Sequence, residues 1–242
     1  MLLLLLVAAA AAVYSSVGHG GASAYLGILS LFGVPPREMS TSALLLNVLV
    51  AGIATVTYAR AGHLSIRLIW PFMVTSVPSA YLGGLLHVAP RVYTLLLGVA
   101  LLGAAVRLWW TPSERPPKPL ALPVALASGA AIGILSGIVG VGGGIFLSPL
   151  MILAGWAGAK QTAAVSAAFI VVNSIAGLAG RAARGALVVG DLGPLVVAAF
   201  LGGLVGSRLG AHRLLPVHIR RVLAVTLLFV AFKNLWIWMG SL

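Results

Sequence analysis

The chain is a succession of apolar runs separated by short polar, glycine-rich or proline-rich breaks. Most runs hold about 17 to 25 residues, the length that a helix needs to cross about 30 Å of hydrocarbon. Polar and apolar residues do not alternate along these runs, as they do in the strands of an outer-membrane barrel. The pattern therefore predicts an all-α integral membrane protein that crosses the cell membrane several times.

The breaks divide each half of the chain into five segments. In the first half, the predicted helices cover residues 1–17, 22–33, 40–59, 66–88 and 91–110. In the second half, they cover residues 121–139, 145–155, 161–180, 190–211 and 217–239. The second segment of each half holds about a dozen residues, and a helix of that length extends only about 18 Å, too short to cross the hydrocarbon core.

The two halves share a series of landmarks in the same order. A shift of about 122 to 126 residues aligns residues 18–22 with 140–144, Gly33 with Gly155, residues 41–43 with 165–167, residues 61–64 with 184–187, Pro71 with Pro194 and Trp110 with Trp236. The near-constant shift predicts a duplication, and long internal repeats are common in transporters. We expect a first repeat in residues 1–110, a proline-rich linker in 111–123 and a second repeat in 124–242.

Composition and charge support the membrane class. Hydrophobic residues make up 61% of the chain and charged residues only 7%, whereas soluble domains hold about 25% charged residues. The net charge of +12 comes from basic residues at the edges of apolar runs, where they orient helices, so nucleic acid is not an expected partner. The chain has no cysteine, and we predict no cofactor and no metal site.

The basic residues also bear on how the chain crosses the membrane. If residues 1–33 and 121–155 each cross once, the basic residues divide seven to eight between the two sides. If each segment is a re-entrant hairpin, the second repeat is inverted and ten of the fifteen basic residues lie on the linker side. Because cytoplasmic loops are enriched in Lys and Arg, this asymmetry favours hairpins, with the linker in the cytoplasm and both termini outside.

The two glycine breaks are the candidate binding site. A broken helix is tolerated in a membrane only where protein or a water-filled cavity satisfies the backbone. A short helix that follows a break directs its free N–H groups and positive dipole end towards it, which suits an anion. The predicted substrate-binding residues are Gly18, His19, Gly20 and Gly21 in the first break, Gly140, Gly142, Gly143 and Gly144 in the second, and Ser42, Asn47, Ser166 and Asn173 in the spans that follow.

Several of these assignments have structural alternatives. The asparagines are equally suited to bond with neighbouring helices or backbone carbonyls, and for the serines this structural interpretation is favoured. His19 is suited to carry a proton or bind the ligand, but it has no second metal ligand nearby in sequence. Glycines outside the breaks, including Gly83, Gly84, Gly202, Gly203 and Gly206, are expected to allow close helix packing.

The sequence offers little for an enzyme. Ser136 lies in the run GILSGIVG, but the preceding glycine is three residues away rather than the two of the serine motif of an intramembrane protease. None of the three acidic residues occupies the centre of a predicted span, so no aspartate pair and no buried carboxylate proton carrier is available. An anion channel is a closer alternative to a carrier, since helix ends stabilise anions in pores as well.

The motifs resemble those of the TauE/SafE family of sulfite exporters. The similarity rests first on the Gly-Val-Gly-Gly-Gly run at residues 140–144, which leads to Pro149, and on the related Gly-His-Gly-Gly run at residues 18–21. It rests also on the Thr-Ser and Val-Ser segments at 41–42 and 165–166 and on the glycine-rich third helix. The resemblance covers residues 14–239. The first half departs from the pattern, because Ala22 replaces a third glycine and Gly27 stands where the second half has Pro149.

This resemblance implies a secondary transporter of small sulfur-containing anions such as sulfite, thiosulfate, sulfoacetate or related sulfonates. The anion is expected to bind at the two apposed breaks near the bilayer midplane and to cross by alternating access. A channel of the same architecture, or a carrier of another small anion, stays open. The expected partners are a small anionic substrate and the lipid bilayer, and a homodimer is an open alternative to a monomer.

Overall fold

The computed structural model describes residues 1–86, 98, 101–103, 105–106, 109–110, 118–190 and 192–239. Regular structure in this part of the chain is helical throughout. The helices are α1 (Leu2–Ser15), α2 (Ala22–Leu31), α3 (Pro36–Arg60), α4 (Ile66–Leu85), α5 (Leu122–Val139), α6 (Gly144–Ala154), α7 (Ala159–Ala183), α8 (Gly193–Arg208) and α9 (Pro216–Met239), with a π-helical turn at Leu209–Arg213 after α8.

The predicted all-helical membrane class is confirmed. Five described segments are long and apolar enough to cross a membrane, namely α3, α4, α5, α7, and α8 together with its π-helical turn. Helices α1, α2 and α6 hold only 14, 10 and 11 residues. Helix α9 has 24 residues and is not among these five. The predicted span at 91–110 and the linker at 111–123 lie largely outside the described residues.

Most helix bounds agree with the sequence prediction within about three residues, and α3 is the exception. It begins at Pro36 rather than residue 40, with proline in its first turn. Proline is tolerated there because the first N–H groups of a helix have no intrahelical partner. The predicted span at 190–211 ends its α-helical part at Arg208, because the backbone widens into the π-helical turn.

Glycine ridges hold helices of the two halves in close contact. Helix α5 presents Gly129, Gly133 and Gly137 to the backbone of Phe72, Ser76 and Ala80 on α4. Helix α8 presents Gly202, Gly206 and the following Gly210 to the backbone of Ala8, Ala12 and Ser16 on α1. Each series runs in the same order along both helices, so each pair is parallel. The predicted packing role is confirmed at Gly83, Gly84, Gly202 and Gly206.

Helices α3 and α7 cross antiparallel in the centre of the bundle. Asn47 in the middle of α3 contacts Ser174 on α7, whereas Tyr58 near the end of α3 shares a buried cluster with Ala163 near the start of α7. Lys160 Nζ donates a hydrogen bond to the carbonyl of Ala211 (3.1 Å). The start of α7 and the end of α8 therefore lie at the same end of the bundle.

The short helices form two hairpins that open at different ends of the bundle. The backbone N–H of Lys118, ahead of α5, donates to the carbonyl of Gly155, directly after α6 (2.8 Å). This α5–α6 hairpin opens where α7 begins. Val7 of α1 and Leu29 of α2 instead share a buried cluster with Leu195 at the start of α8, so the α1–α2 hairpin opens at the opposite end.

Candidate functional site

Both breaks are built from glycines in the left-handed conformation. Gly21 has φ of +93° and is the N-cap of α2, and Gly143 has φ of +77° and is the N-cap of α6. Residues with a Cβ adopt this conformation only at a cost. A glycine N-cap provides no side chain to accept the free N–H groups of the first turn. The N-termini of α2 and α6 thus reach the breaks without a capping side chain of their own.

Asn47 lies where the two breaks approach each other. Its Oδ1 accepts the N–H of Ala22 at the start of α2 (3.2 Å), and its Nδ2 donates to Ser174 Oγ on α7 (2.9 Å). Gly20 of the first break faces Asn47 Oδ1, and a Cβ added to Gly142 of the second break would lie 2.5 Å from Asn47 Nδ2. One buried amide therefore contacts the first break, the second break and α7.

His19 links the first break to the second hairpin. Its Nε2 is 2.8 Å from Ser148 Oγ on α6, and Ser148 Oγ donates to Ser166 Oγ on α7 (2.8 Å). All three side chains are buried. Ser148 thus lies between His19 and Ser166 in a chain of three buried polar side chains, and the tautomer of the His19 ring decides which atom donates in its bond to Ser148.

A second polar cluster lies beside the first break. Tyr14 Oη is 3.1 Å from Ser23 Oγ, and Lys233 Nζ on α9 donates to the carbonyl of Ser23 (3.0 Å). The lysine side chain also passes Gly27 on α2. A positive charge of α9 is therefore held against the first turns of α2, within the apolar part of the bundle.

A small cavity joins these elements. It has a volume of about 10 Å³ and is lined by His19, Gly20, Gly21 and Asn47 of the first half and by Val141 and Ile170 of the second. That volume has room for about one water molecule. A larger occupant requires the helices around the cavity to move apart.

The other predicted site residues are not among those that line this cavity. Gly18 packs against the backbone of Ala163, and the N–H of Gly140 donates to Ser136 at the end of α5 (2.8 Å). Ser42 is buried on α3, and Gly143 and Gly144 pack against Phe169 and Ile170.

Asn173 differs from Asn47 in its surroundings. Its Nδ2 donates to the carbonyl of Phe169 in its own helix (2.9 Å), as the structural alternative for the asparagines anticipated. Its Oδ1 is buried and has no hydrogen-bond partner in the part of the chain that the structure describes. The structure thus brings His19, Gly20, Gly21, Asn47 and Gly142 together and leaves Asn173 bonded within α7.

The sequence prediction did not include several polar residues of this centre. They are Tyr14, Ser23, Ser148, Ser174 and Lys233. Lys233 carried a usable signal, because a charged residue inside an apolar run marks a functional position in most membrane proteins. The others carried none, since single serines are frequent in membrane helices and a tyrosine near a helix end is typical of the membrane interface.

Two broken helices that meet in a buried cavity inside a multi-pass bundle are the architecture of a membrane transporter. Sequence comparison agrees, since the family described as "Sulfite exporter TauE/SafE" matches residues 3–234. The chain belongs to the TauE/SafE family.

Two curated relatives support this assignment. The chain is 34% identical over 229 residues to the "Probable membrane transporter protein y4hK" of Sinorhizobium fredii, covering 92% of this chain and 93% of the relative. It is 29% identical over 239 residues to the "Probable membrane transporter protein ORF9" of a Sinorhizobium species, covering 93% and 91%. No solved structure matches the chain. These names describe membrane transporters, in agreement with the predicted class of protein.

Proposed function

We propose that the protein is a secondary transporter that carries small sulfur-containing oxyanions across the membrane by alternating access. The anion binds between the N-termini of α2 and α6. The observation that carries the proposal is one small cavity that is lined by the glycine-capped N-terminus of α2, by Ile145 in the first turn of α6, and by Asn47 and His19. Helix N-termini favour anions through their free N–H groups and dipoles.

We also infer that residues 1–110 and 124–242 are inverted repeats. Left-handed glycines occur in pairs at equivalent positions of the two halves: Gly18 and Gly140, Gly21 and Gly143, Gly33 and Gly155, Gly62 and Gly185. The two hairpins open at opposite ends of the bundle, as inversion requires. In transporters built from inverted repeats, the equivalent breaks of the two repeats face each other around a single site.

A hydrogen-bond pair at equivalent positions gives the repeat independent support. Tyr58 Oη near the end of α3 donates to the carbonyl of Ser16 after α1 (2.7 Å). Arg181 near the end of α7 donates to the carbonyl of Ile138 in the last turn of α5 (3.3 Å). The two donors are 123 residues apart, and the two acceptors are 122 residues apart. In each half, the long third helix (α3 or α7) therefore caps the C-terminal end of the first helix (α1 or α5).

The small volume of the cavity supports a carrier over an open pore. In this arrangement Asn47 Oδ1 holds the N–H of Ala22, the position that an oxygen of the bound anion takes in our proposal. Binding then displaces the Asn47 amide and widens a cavity that now has room for about one water. The link from His19 to Ser148 joins the two hairpins, so its rearrangement opens the site towards one side at a time.

Removal of the Lys233 charge should weaken anion binding. At an effective dielectric of about 20, a unit charge about 7 Å from the anion contributes about 2 kcal/mol, which is about a 30-fold change in affinity. Lys233→Met should therefore raise the KM for sulfite by about 30-fold in proteoliposomes, and Lys233→Arg should restore most of it. Lys160→Met is the matched control, because Lys160 lies at the end of the bundle. If Lys233→Met and Lys160→Met raised the KM equally, the effect would come from the net charge of the protein and not from the position of Lys233 near the anion.

The proposal is tested by thermal unfolding of the purified protein with sulfite, thiosulfate, sulfoacetate, taurine, sulfate, phosphate and chloride. A ligand at 100 times its dissociation constant adds about 2.7 kcal/mol to the free energy of unfolding. We expect saturable stabilisation by at least one of sulfite, thiosulfate, sulfoacetate and taurine, and none by chloride or sulfate. No response to any anion would overturn the anion site. Saturable counterflow in preloaded proteoliposomes then separates a carrier from a channel.

A further inference from the structure

A second cavity lies on the outside of the bundle, between α3 and α8. It has a volume of about 560 Å³ and apolar walls from Val48, Gly52, Ile53 and Val56 of α3 and Leu204 of α8. The wall residues 48–56 of α3 extend over about 12 Å along the helix. Asn47 points away from this groove towards α2 and α7, so α3 separates the groove from the transport site.

Basic side chains form the rim of this groove. Arg60 at the end of α3, Arg208 at the end of α8 and His212 in the π-helical turn line one end of it. All three are exposed, and no acidic residue is among the described residues that line the groove. The groove is therefore apolar along its length and positively charged at one end.

The floor of the groove has unfilled space. A Cβ added to Gly52 would meet no atom within 4 Å, whereas the helix-packing glycines Gly202 and Gly206 lie directly against the backbone of α1. Gly52 is thus not required for contact with another helix in the described part of the chain. It leaves a notch in α3 that opens into the groove.

We propose that this groove binds one anionic glycerophospholipid, with the phosphate headgroup between Arg60 and Arg208 and an acyl chain along Gly52. The charge at the rim is complementary to the headgroup, and the apolar wall suits an acyl chain that a free anion lacks. The rim lies at the same end as Lys160, which the distribution of basic residues assigns to the cytoplasm. Basic pockets between membrane helices on that side bind anionic lipid headgroups.

The test is native mass spectrometry of the delipidated, full-length protein titrated with phosphatidylglycerol or phosphatidylcholine of the same acyl composition. We expect one phosphatidylglycerol per chain, bound about tenfold more tightly than phosphatidylcholine. Arg60→Gln and Arg208→Gln should each weaken phosphatidylglycerol binding about fivefold, and Gly52→Leu should remove it by filling the notch. Arg67→Gln, an exposed basic residue at the same end but outside the groove, should leave binding unchanged.

Four results would overturn the proposal. Equal losses in Arg67→Gln and Arg60→Gln would indicate attraction to the whole basic surface. Unchanged binding in Gly52→Leu would place the lipid elsewhere, and a dimer that Gly52→Leu converts to a monomer would make a second copy of the chain the occupant. Displacement of phosphatidylglycerol by equimolar inorganic phosphate or sulfite would make the groove a site for soluble anions. Stabilisation by sulfite in the thermal assay is scored separately, so each proposal fails on its own measurement.

Discussion

Gly143→Leu should abolish anion flux in proteoliposomes while the protein still inserts into the membrane. Gly143 has φ of +77° and is the N-cap of α6, and a Cβ there would lie 2.8 Å from the Phe169 ring and 2.9 Å from Ile132. A leucine forces the start of α6 away from its position. In our proposal the N–H groups of that turn bind the anion, so their displacement removes one half of the site.

Gly155→Leu is the matched control for this change. Gly155 ends the same helix with φ of +74°, and its nearest neighbour for an added Cβ is the Lys118 side chain at 3.8 Å. In both variants a residue with a side chain has to adopt the left-handed backbone conformation, which costs about 1 to 2 kcal/mol of folding free energy. Only Gly143→Leu also disturbs the break. Equal loss of flux in both would attribute the effect to strain in α6, and wild-type flux in Gly143→Leu would refute the site. Monodisperse elution of both variants excludes misfolding as the cause.

The helices could be predicted from the sequence because bilayer thickness constrains them strongly. A run of about 20 apolar residues has few alternatives to a membrane helix, so predicted and observed bounds of α4, α5 and α7 differ little. The glycine breaks could also be located. Only glycine occupies the left-handed positions in the described chain, so clusters of glycine at repeated spacings predicted where the helices stop.

The partners within the site could not be predicted. Asn47 bonds to Ser174, 127 residues away, and His19 to Ser148, 129 residues away. The predicted alignment of the two halves pairs His19 with Val141 and Ser42 with Ser166. No hydrogen bond joins the side chains of either pair. Interhelical hydrogen bonds depend on the rotation and depth of each helix, and hydropathy specifies neither. The duplication predicted which segments are equivalent, but it could not predict which side chains meet across the interface.

The same limit applies to the asymmetry of the two halves. The donor that caps the end of the first helix is a phenol in the first half, Tyr58, and a guanidinium in the second, Arg181. Both satisfy carbonyls left free at a helix end, where a positive charge also interacts favourably with the dipole. Because a phenol and a guanidinium can both donate to such a carbonyl, equivalent contacts in the two halves do not require identical residues.

Asn47→Asp should nearly abolish anion transport without unfolding the protein. The carboxylate keeps an acceptor for the N–H of Ala22, and Ser174 can donate to it in place of accepting from Nδ2. The hydrogen bonds are thus preserved, but a negative charge now lies at the proposed anion site. At about 4 Å and an effective dielectric of about 20, the repulsion is about 4 kcal/mol, which weakens binding by about a thousandfold.

Thiosulfate flux in proteoliposomes and the thermal midpoint of the purified variants measure this effect. Gln161→Glu makes the same amide-to-carboxylate change near the start of α7, at a position that does not line the cavity, and it should retain flux. Normal transport by Asn47→Asp would mean that the anion does not approach Asn47. Equal losses in both variants would point to net charge, whereas loss in Asn47→Asp alone, with an unchanged thermal midpoint, locates the anion beside the N-terminus of α2.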